Sequence, residues 1–229
     1  MKFGYLEKFS MIDFPGKLSA VVFTQGCNFR CPYCHNPELV LPEKFTEPLS
    51  EDEIFDFLQK RKNQLDAVVI TGGEPTMHKS LPEFIKAVKA MGFLVKLDTN
   101  GTNPAMLEKL LAENLPDYVA MDIKAPLRKY KDVVKTEVND KDIRKSIELL
   151  KNSSVEYEFR STIVDSLFDK NDVSEIKTMI QGCGKYFIQN FSPAKTLDLD
   201  FKMENPVSED DVDFIKQQLS PVVDQIMTR

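Results

Sequence analysis

Short apolar runs alternate with amphipathic segments along most of the 229-residue chain. Each run is nearly continuous in aliphatic and aromatic residues, a pattern typical of strands that are covered on both faces. No internal repeat or low-complexity tract interrupts this alternation. The predicted strands are Leu18–Phe23, Ala67–Thr71, Leu94–Asp98, Tyr118–Ile123, Tyr157–Val164 and Tyr186–Phe191.

The segments between these runs carry signals for the beginning and end of helices. Ser50 and Glu53 have the spacing of a capping box, Gly92 suits the position after a helix, and Asn103 can cap a helix that begins at Pro104. Pro221 is expected to kink or split the last helix. The predicted helices are Ile54–Lys62, Leu81–Met91, one beginning at Pro104, Lys141–Lys151, Asp172–Gln181 and Ser208–Met227.

Six strand–helix units predict an α/β fold with a parallel sheet and right-handed crossovers. A closed eight-fold barrel typically takes about 250 residues, so six units favour an incomplete, open (β/α)6 barrel. A doubly wound open sheet is the alternative, and both folds bind ligands at the carboxyl ends of the strands. We expect a single domain over residues 1–229, with a core at about 16–195 and a C-terminal helical extension at about 205–229.

Composition and charge narrow the class of protein. The chain is 42% apolar and 29% charged with a net charge of −6, which disfavours a nucleic-acid partner bound through phosphates. It has no apolar stretch of the roughly 20 residues that a membrane span needs, and its N-terminus lacks the apolar core of a signal peptide. We therefore expect a cytoplasmic protein without a membrane partner. The basic run Leu127–Lys131 is expected to be a solvated loop, with a docking patch as the alternative.

Three cysteines follow the first predicted strand in the spacing C-x3-C-x2-C, at Cys27, Cys31 and Cys34. Thiols in the cytosol stay reduced, so a cluster of cysteines indicates a metal site before a disulfide. A cubane usually takes four thiolates, and three local ligands would leave one iron open, as in catalytic metal sites. The alternative is a zinc site completed by Cys183 or His35, although zinc sites usually show paired C-x2-C units.

Polar residues also follow several of the other predicted strands. A Gly-Gly pair can let the backbone approach a ligand and offer its amides to a charged group. Asp122 and Lys124 share one strand face, and an ion pair between them is the structural alternative. An arginine in a buried strand, Arg160, needs an anion or a network of acceptors. Tyr33 can either pack under the cysteine loop or flank a cofactor ring. The candidates at strand ends are Gly72, Gly73, Glu74, Asp98, Thr99, Asp122, Lys124 and Arg160.

The stretch from Gln25 to Asn36 resembles the cluster loop of radical S-adenosylmethionine (SAM) enzymes. Together with Ile12-Asp13-Phe14-Pro15-Gly16 it is similar to the glycyl-radical-enzyme activases, most of all to the family that activates anaerobic ribonucleoside-triphosphate reductase. The resemblance covers about Tyr5 to Phe191, and the last 40 or so residues carry no usable motif.

This resemblance implies a set of site roles. Cys27, Cys31 and Cys34 would ligate a [4Fe–4S] cluster whose fourth iron holds the methionine group of SAM. The Gly72-Gly73-Glu74 element would bind the methionine amino group, and some activases hold a monovalent cation beside the matching aspartates. The histidine that some activases carry at the sixth strand is absent, and no catalytic acid or base is implied. Further contacts to SAM would come from Tyr33, Asp98, Thr99, Asp122, Lys124 and Arg160.

The implied activity is reductive cleavage of SAM and formation of a glycyl radical on a partner enzyme, with flavodoxin or ferredoxin as electron donor. Anaerobic ribonucleoside-triphosphate reductase is the favoured partner. Pyruvate formate-lyase is an alternative partner, and 7-carboxy-7-deazaguanine synthase is an alternative, small-molecule activity. The motifs Asp98–Gly101 and Met121–Lys124 resemble those of the activases. A zinc-binding interaction protein is the alternative outside the enzymes.

Overall fold

The computed structural model describes all 229 residues, and its centre is one eight-stranded sheet. The strands lie in chain order, β1 pairs antiparallel with β2, and every later pair is parallel. The strands are β1 Phe3–Ser10, β2 Ser19–Thr24, β3 Ala67–Gly72, β4 Leu94–Thr99, β5 Tyr118–Asp122, β6 Glu156–Ile163, β7 Cys183–Asn190 and β8 Val223–Thr228. All six predicted strands are therefore present.

Helices fill the connections between the parallel strands. Ser50 forms the predicted capping box with Glu53, and the Asn103 side chain accepts a hydrogen bond from the Met106 amide. The helices are α1 Pro37–Val40, α2 Glu51–Arg61, α3 Leu81–Ala90, α4 Pro104–Ala112, α5 Tyr130–Val134, α6 Asp140–Lys151, α7 Asp172–Ile180 and α8 Glu209–Leu219. None of them is both long and apolar enough to cross a bilayer.

The strand order distinguishes between the two predicted architectures. A doubly wound sheet reverses its strand order at a switch point, whereas here each parallel strand lies beside its predecessor in the chain. With right-handed crossovers, this order places all helices on one side of the sheet. The outer strands β1 and β8 do not pair, so the barrel is open. The prediction of an incomplete parallel α/β barrel is confirmed.

Alternate side chains of the strands divide between two apolar clusters. Val68 and Ile70 of β3 belong to a core of 48 buried residues, most of it between the sheet and the helices. Ala67 and Val69 belong instead to a cluster of five on the concave face, which includes Phe14 and Tyr118. The Phe14 and Tyr118 rings lie 5.8 Å apart near the amino ends of the strands. Apolar packing thus closes the barrel at the amino ends of the strands. The polar groups lie at the opposite end, where the strands have their carboxyl ends.

The predicted C-terminal helical extension is wrong for its last part. The helix ends at Leu219, and Val223–Thr228 forms β8, which pairs with β7. Pro221 ends the helix because it cannot donate the amide hydrogen bond that a helix interior requires. The β-branched residues that follow it favour a strand. With β1 at the other edge, the sheet extends from residue 3 to residue 228, beyond the predicted core at 16–195.

The basic run Leu127–Lys131 is not the predicted solvated loop. It forms a short 3-10 turn that leads into α5, and Tyr130 is fully buried. Arg128 and Lys129 both form ion pairs with the buried Asp172 in the first turn of α7. These two cations therefore link the segment after β5 to α7, the helix after β6, through ion pairs.

Candidate active site at the carboxyl ends of the strands

A cavity of about 380 Å³ opens where β3 to β7 end. It brings together every residue that the sequence analysis predicted for the site: Cys27, Cys31, Tyr33, Cys34, Gly72, Gly73, Glu74, Asp98, Thr99, Asp122, Lys124 and Arg160. A larger cleft of about 770 Å³ lies beside α4 and α6 and contains none of them. The site therefore follows the rule that α/β folds bind ligands beyond the carboxyl ends of parallel strands.

The loop after β2 holds the three thiols at the rim of this cavity. It is attached to its surroundings by the Arg30 amide, which donates to the Val134 carbonyl at 2.8 Å. The Asn28 side chain exchanges hydrogen bonds with Asn100 and Thr102 beyond β4, each at 2.9 Å. These bonds fix the path of the loop from two neighbouring elements, so the thiols are positioned before any metal binds.

All three thiols are reduced and largely shielded from water. Burial raises the pKa of Cys27 to about 12 and that of Cys31 to about 11, and it also raises the pKa of Cys34. A metal has to displace these protons, because the thiolate is the ligand. No three His, Cys, Asp or Glu side chains converge closely enough to hold one ion. The thiolates of a cubane each bind a different iron, so they need not converge on one point.

Gly72, the last residue of β3, and Gly73 lie next to the cysteine loop. Gly72 has φ +112°, and a Cβ there would lie 2.4 Å from the Thr24 amide nitrogen. The Gly73 amide donates to the Thr24 carbonyl at 2.9 Å, and the Glu74 amide donates to the Gly26 carbonyl at 2.8 Å. The Gly73 amide is therefore engaged within the chain, and the prediction that it binds a charged ligand is wrong. Because the two glycines lack side chains, the end of β3 can approach the backbone of Thr24 and Gly26 closely.

Glu74 joins the end of β3 to the end of β4. Its buried carboxylate accepts hydrogen bonds from the Thr99 hydroxyl and the Asn100 amide, both at 2.7 Å, and from the Thr76 amide at 3.0 Å. Burial raises its pKa, although these hydrogen bonds oppose the shift. Because it accepts several bonds from within the chain, Glu74 orders the wall of the cavity that carries Thr99.

A chain of alternating charges crosses β4, β5 and β6 below the thiols. Lys96 Nζ lies 2.6 Å from Asp98 Oδ1, and Arg160 NH2 lies 3.1 Å from Asp98 Oδ2. The Nε of Arg160 donates to Asp122 Oδ1, and Lys124 Nζ lies 2.9 Å from Asp122 Oδ2. Asp122 and Arg160 are directly in register between β5 and β6. Arg160 therefore binds Asp98 and Asp122, and not Glu158, which pairs with Arg229 instead.

Burial and ion pairing shift the pKa values of these charged groups in opposite directions. Burial alone would raise the pKa of Asp98, but Arg160 and Lys96 hold it below its usual range. The same competition, with Arg160 and Lys124 as partners, depresses the pKa of Asp122. Burial would lower the pKa of Lys124, yet Asp122 raises it well above its usual value. Both aspartates and Lys124 are therefore charged at neutral pH.

Tyr33 lies beneath the cysteine loop, where its ring is 6.0 Å from Lys124 Nζ. The side chain is buried, and its hydroxyl has no hydrogen-bond partner. Burial, reinforced by the neighbouring Cys31, raises its pKa well above the usual value. Tyr33 thus packs under the loop and also lines the cavity. The unpartnered hydroxyl beside the thiols is a donor that a bound anionic group would satisfy.

Other residues of the cavity were missed from the sequence. Gln189 and Asn190 line it at the end of β7, the strand to which the sequence analysis assigned no contact. His35 reaches this side: its Nε2 is 2.9 Å from the Ser192 carbonyl, and its ring stacks on Phe191. Cys183 is fully buried as the first residue of β7, roughly 20 Å of strand from the cavity. Cys183 is therefore a buried core residue and does not complete a metal site with the three thiols of the cavity.

An open parallel barrel with a cysteine triplet at its mouth defines a class of iron–sulfur enzymes, and the family comparison agrees. The model of the Radical SAM superfamily matches residues 21–181. This range contains most of β2, all of β3 to β6 and every predicted site residue. The chain belongs to the radical SAM superfamily and is an enzyme. Membership implies a [4Fe–4S] cluster and SAM as cofactors.

Curated relatives include several activating enzymes. A Methanocaldococcus jannaschii protein, provisionally named a glycyl-radical enzyme activating enzyme, is 38% identical over 96% of this chain and 92% of its own length. The pyruvate formate-lyase-activating enzyme of Listeria monocytogenes is 36% identical, over 52% of this chain and 51% of the relative. The 7-carboxy-7-deazaguanine synthase of Aquifex aeolicus is 37% identical, over 38% of each chain.

Solved structures at low sequence identity share the fold. TYW1 with a bound lysine–pyruvate adduct superimposes with a TM-score of 0.64 at 15% identity, covering 89% of this chain and 73% of TYW1. Streptococcus suis SuiB bound to SAM gives a TM-score of 0.69 at 13% identity, over 91% of this chain and 49% of SuiB. These matches support the architecture and do not address the substrate.

Proposed function

We propose that this enzyme is an activase that uses SAM and a [4Fe–4S] cluster to generate a glycyl radical on a partner enzyme. One observation carries the proposal. Three thiols, the glycine pair Gly72-Gly73 and a network of charged side chains line a single open cavity at the barrel mouth. The near full-length similarity to a protein named as an activating enzyme supports the choice of substrate class.

The cysteine loop fits the cluster. Cys27, Cys31 and Cys34 face one cavity, and the protein supplies no fourth thiol there, because Cys183 lies at the opposite end of β7. The Tyr33 hydroxyl beside Cys31 is an unpartnered donor, suited to a thiolate or sulfide. Held by these three cysteines, the cluster would supply, with SAM and one electron from a reductant, the radical chemistry that removes a hydrogen atom from a glycine Cα of the partner enzyme.

The remaining residues are suited to hold SAM in one orientation. Carbonyl oxygens along Gly72 and Gly73 would accept from its ammonium group. Lys124 and Arg160 would bind its carboxylate, since they are the lysine and arginine that line the cavity. Asp98, Asp122 and Thr99 would position these groups, with Glu74 bracing Thr99. Tyr33 would flank the adenine from beneath the loop.

The partner proposed here is anaerobic ribonucleoside-triphosphate reductase, and pyruvate formate-lyase is the second candidate. The first rests on the similarity of Ile12–Gly16 and the cysteine loop to its activators, the second on the Listeria relative. We propose flavodoxin or ferredoxin as electron donor, and the cytoplasm as location because the thiol ligands must stay reduced. A 7-carboxy-7-deazaguanine synthase activity is less well supported, because that similarity covers 38% of the chain.

The test is anaerobic incubation of the iron-loaded enzyme with SAM, reductant and each purified partner, followed by electron paramagnetic resonance. The proposal predicts a glycyl radical doublet with one of the partners. That doublet should be absent without SAM, and absent with the variant Cys31→Ala. SAM cleavage without a glycyl signal on any partner enzyme, but with turnover of a small-molecule substrate, would contradict the proposal.

A further inference from the structure

Lys96 is a buried cation that the sequence analysis did not assign to the site. It lies in β4 two residues before Asp98, on the same concave face. Its side chain is only 1% exposed, and its Nζ is 2.6 Å from Asp98 Oδ1. A buried ammonium group is costly unless it is paired. A strand that needed only an apolar core would not place a lysine here, so the charge calls for an explanation.

The ion pairs that the two aspartates of the cavity form with nearby cations explain the presence of this lysine. Asp98 and Asp122 have four carboxylate oxygens, and each oxygen has its own cationic partner from the chain. Lys96 and Arg160 take the two oxygens of Asp98, and Arg160 and Lys124 take the two oxygens of Asp122. Three cations thus face two anions, and this network has a net charge of +1.

This arrangement bears on the expected monovalent cation. Such an ion would use the carboxylate oxygens as ligands, and it would raise the charge of the network from +1 to +2 among side chains that are largely buried. Charges of like sign repel strongly where water is excluded. A lysine ammonium already occupies the position beside Asp98 where a cation would compensate that carboxylate.

We propose that Lys96 is a positioning residue that acts as a built-in cation, so that SAM binds to this enzyme without a monovalent metal ion. Lys96 neutralises Asp98 and holds it against Arg160, which leaves the guanidinium oriented toward both β4 and β5. The inference rests on the proposed placement of SAM in the cavity, and it is independent of the identity of the glycyl radical partner.

Equilibrium binding of SAM to the iron-loaded enzyme tests the inference. The dissociation constant is measured at constant ionic strength in sodium, in potassium and in N-methylglucammonium, which is too large to enter between the two carboxylates. We expect the three values to agree within about twofold, well under the tenfold that 1.4 kcal/mol represents. A requirement for sodium or potassium would overturn the inference alone. Absence of binding in all three solutions would also contradict the proposed site.

Variants of Lys96 give the same test a second readout. Lys96→Met keeps the length of the side chain but leaves Asp98 Oδ1 unpaired, so binding in N-methylglucammonium should weaken by about tenfold. Potassium or sodium should restore it. Lys96→Arg should remain independent of the ion. If Lys96→Met binds SAM as tightly as wild type in every solution, Lys96 is not a positioning residue.

A matched control is available in the neighbouring pair of Lys89 and Asp117. These side chains lie 2.7 Å apart, each about one-third exposed, and do not line the cavity. Lys89→Met should bind SAM like wild type in all three solutions. Circular dichroism shows whether each variant is folded. If Lys96→Met does not fold, SAM binding by the wild type and by Lys96→Arg in the three solutions still tests the inference. A requirement for sodium or potassium in either protein would overturn it.

Discussion

Gly73 lies directly against the carbonyl group of Gly26, and a Cβ built at Gly73 would be 2.0 Å from the Gly26 oxygen. The same oxygen accepts the Glu74 amide at 2.8 Å. The end of β3 and the cysteine loop therefore touch through their backbones. Any side chain at Gly73 has to move one of them, and Cys27 is the next residue in that loop.

The substitution Gly73→Ala should thus impair cluster binding. We expect the displaced loop to hold iron poorly, with iron and sulfide contents less than half those of wild type after identical anaerobic reconstitution. Gly184→Ala is the control, because a Cβ at Gly184 would meet nothing closer than Asp224 at 3.9 Å. Full iron content in Gly73→Ala would show that the loop position does not depend on this contact.

Cys183 should be dispensable for the cluster. It is buried at the amino end of β7, while the three other cysteines line the cavity. We expect Cys183→Ala to keep the iron content and visible absorbance of wild type, and Cys27→Ala, Cys31→Ala and Cys34→Ala each to lose most of both. Loss of iron in Cys183→Ala comparable to that in Cys31→Ala would mean that Cys183 is a ligand.

Burial of Cys183 also predicts a dependence of stability on pH. Burial raises its pKa to about 12, whereas an unfolded thiol titrates near 8.5. The unfolded state therefore loses this proton first, and the stability that Cys183 contributes is complete below about pH 8.5 and declines toward pH 12. Between pH 7.5 and 9.5, the free energy of unfolding should fall by about 1.4 kcal/mol more in wild type than in Cys183→Ala. Urea unfolding at both pH values measures this difference, and equal losses would contradict it.

Arg160 is the shared partner of Asp98 and Asp122, so its removal leaves one oxygen of each buried carboxylate unpaired. Arg160→Met should lower the free energy of unfolding by about 3 kcal/mol or more and abolish measurable SAM binding. Lys170→Met is the control, because Lys170 pairs with Asp211 at the surface and such pairs contribute about 1 kcal/mol at most. An Arg160→Met enzyme that binds SAM normally would exclude Arg160 from the site.

Much of the fold and of the site could be predicted because both follow from burial. The strands β2 to β7 are covered on both faces and appear as continuous apolar runs. Parallel strands bring their carboxyl ends together, so polar residues at those ends had to meet. The edge strands were missed because neither is a continuous apolar run. In β1 the residues Tyr5, Lys8 and Phe9 are exposed, and β8 follows a helix that was expected to continue.

The features of the site that could not be predicted mostly depend on contacts between residues far apart in the sequence. Two of the partners of Glu74, Thr99 and Asn100, lie 25 and 26 residues further along the chain. Lys96 was counted within an apolar run, although its spacing from Asp98 indicates a shared face. The close approach of Gly73 to Gly26 depends on the register of β2 and β3, and no local pattern encodes that register.

Formation of 5′-deoxyadenosine from SAM tests the central claim most directly. The anaerobically reconstituted enzyme is reduced in the presence of SAM, and the nucleoside and methionine are quantified by chromatography. A cluster held by Cys27, Cys31 and Cys34 with one iron open to SAM predicts both products in equal amounts, and none from any of the three cysteine-to-alanine variants. A folded, colourless protein that binds one zinc ion and yields no 5′-deoxyadenosine would contradict the account.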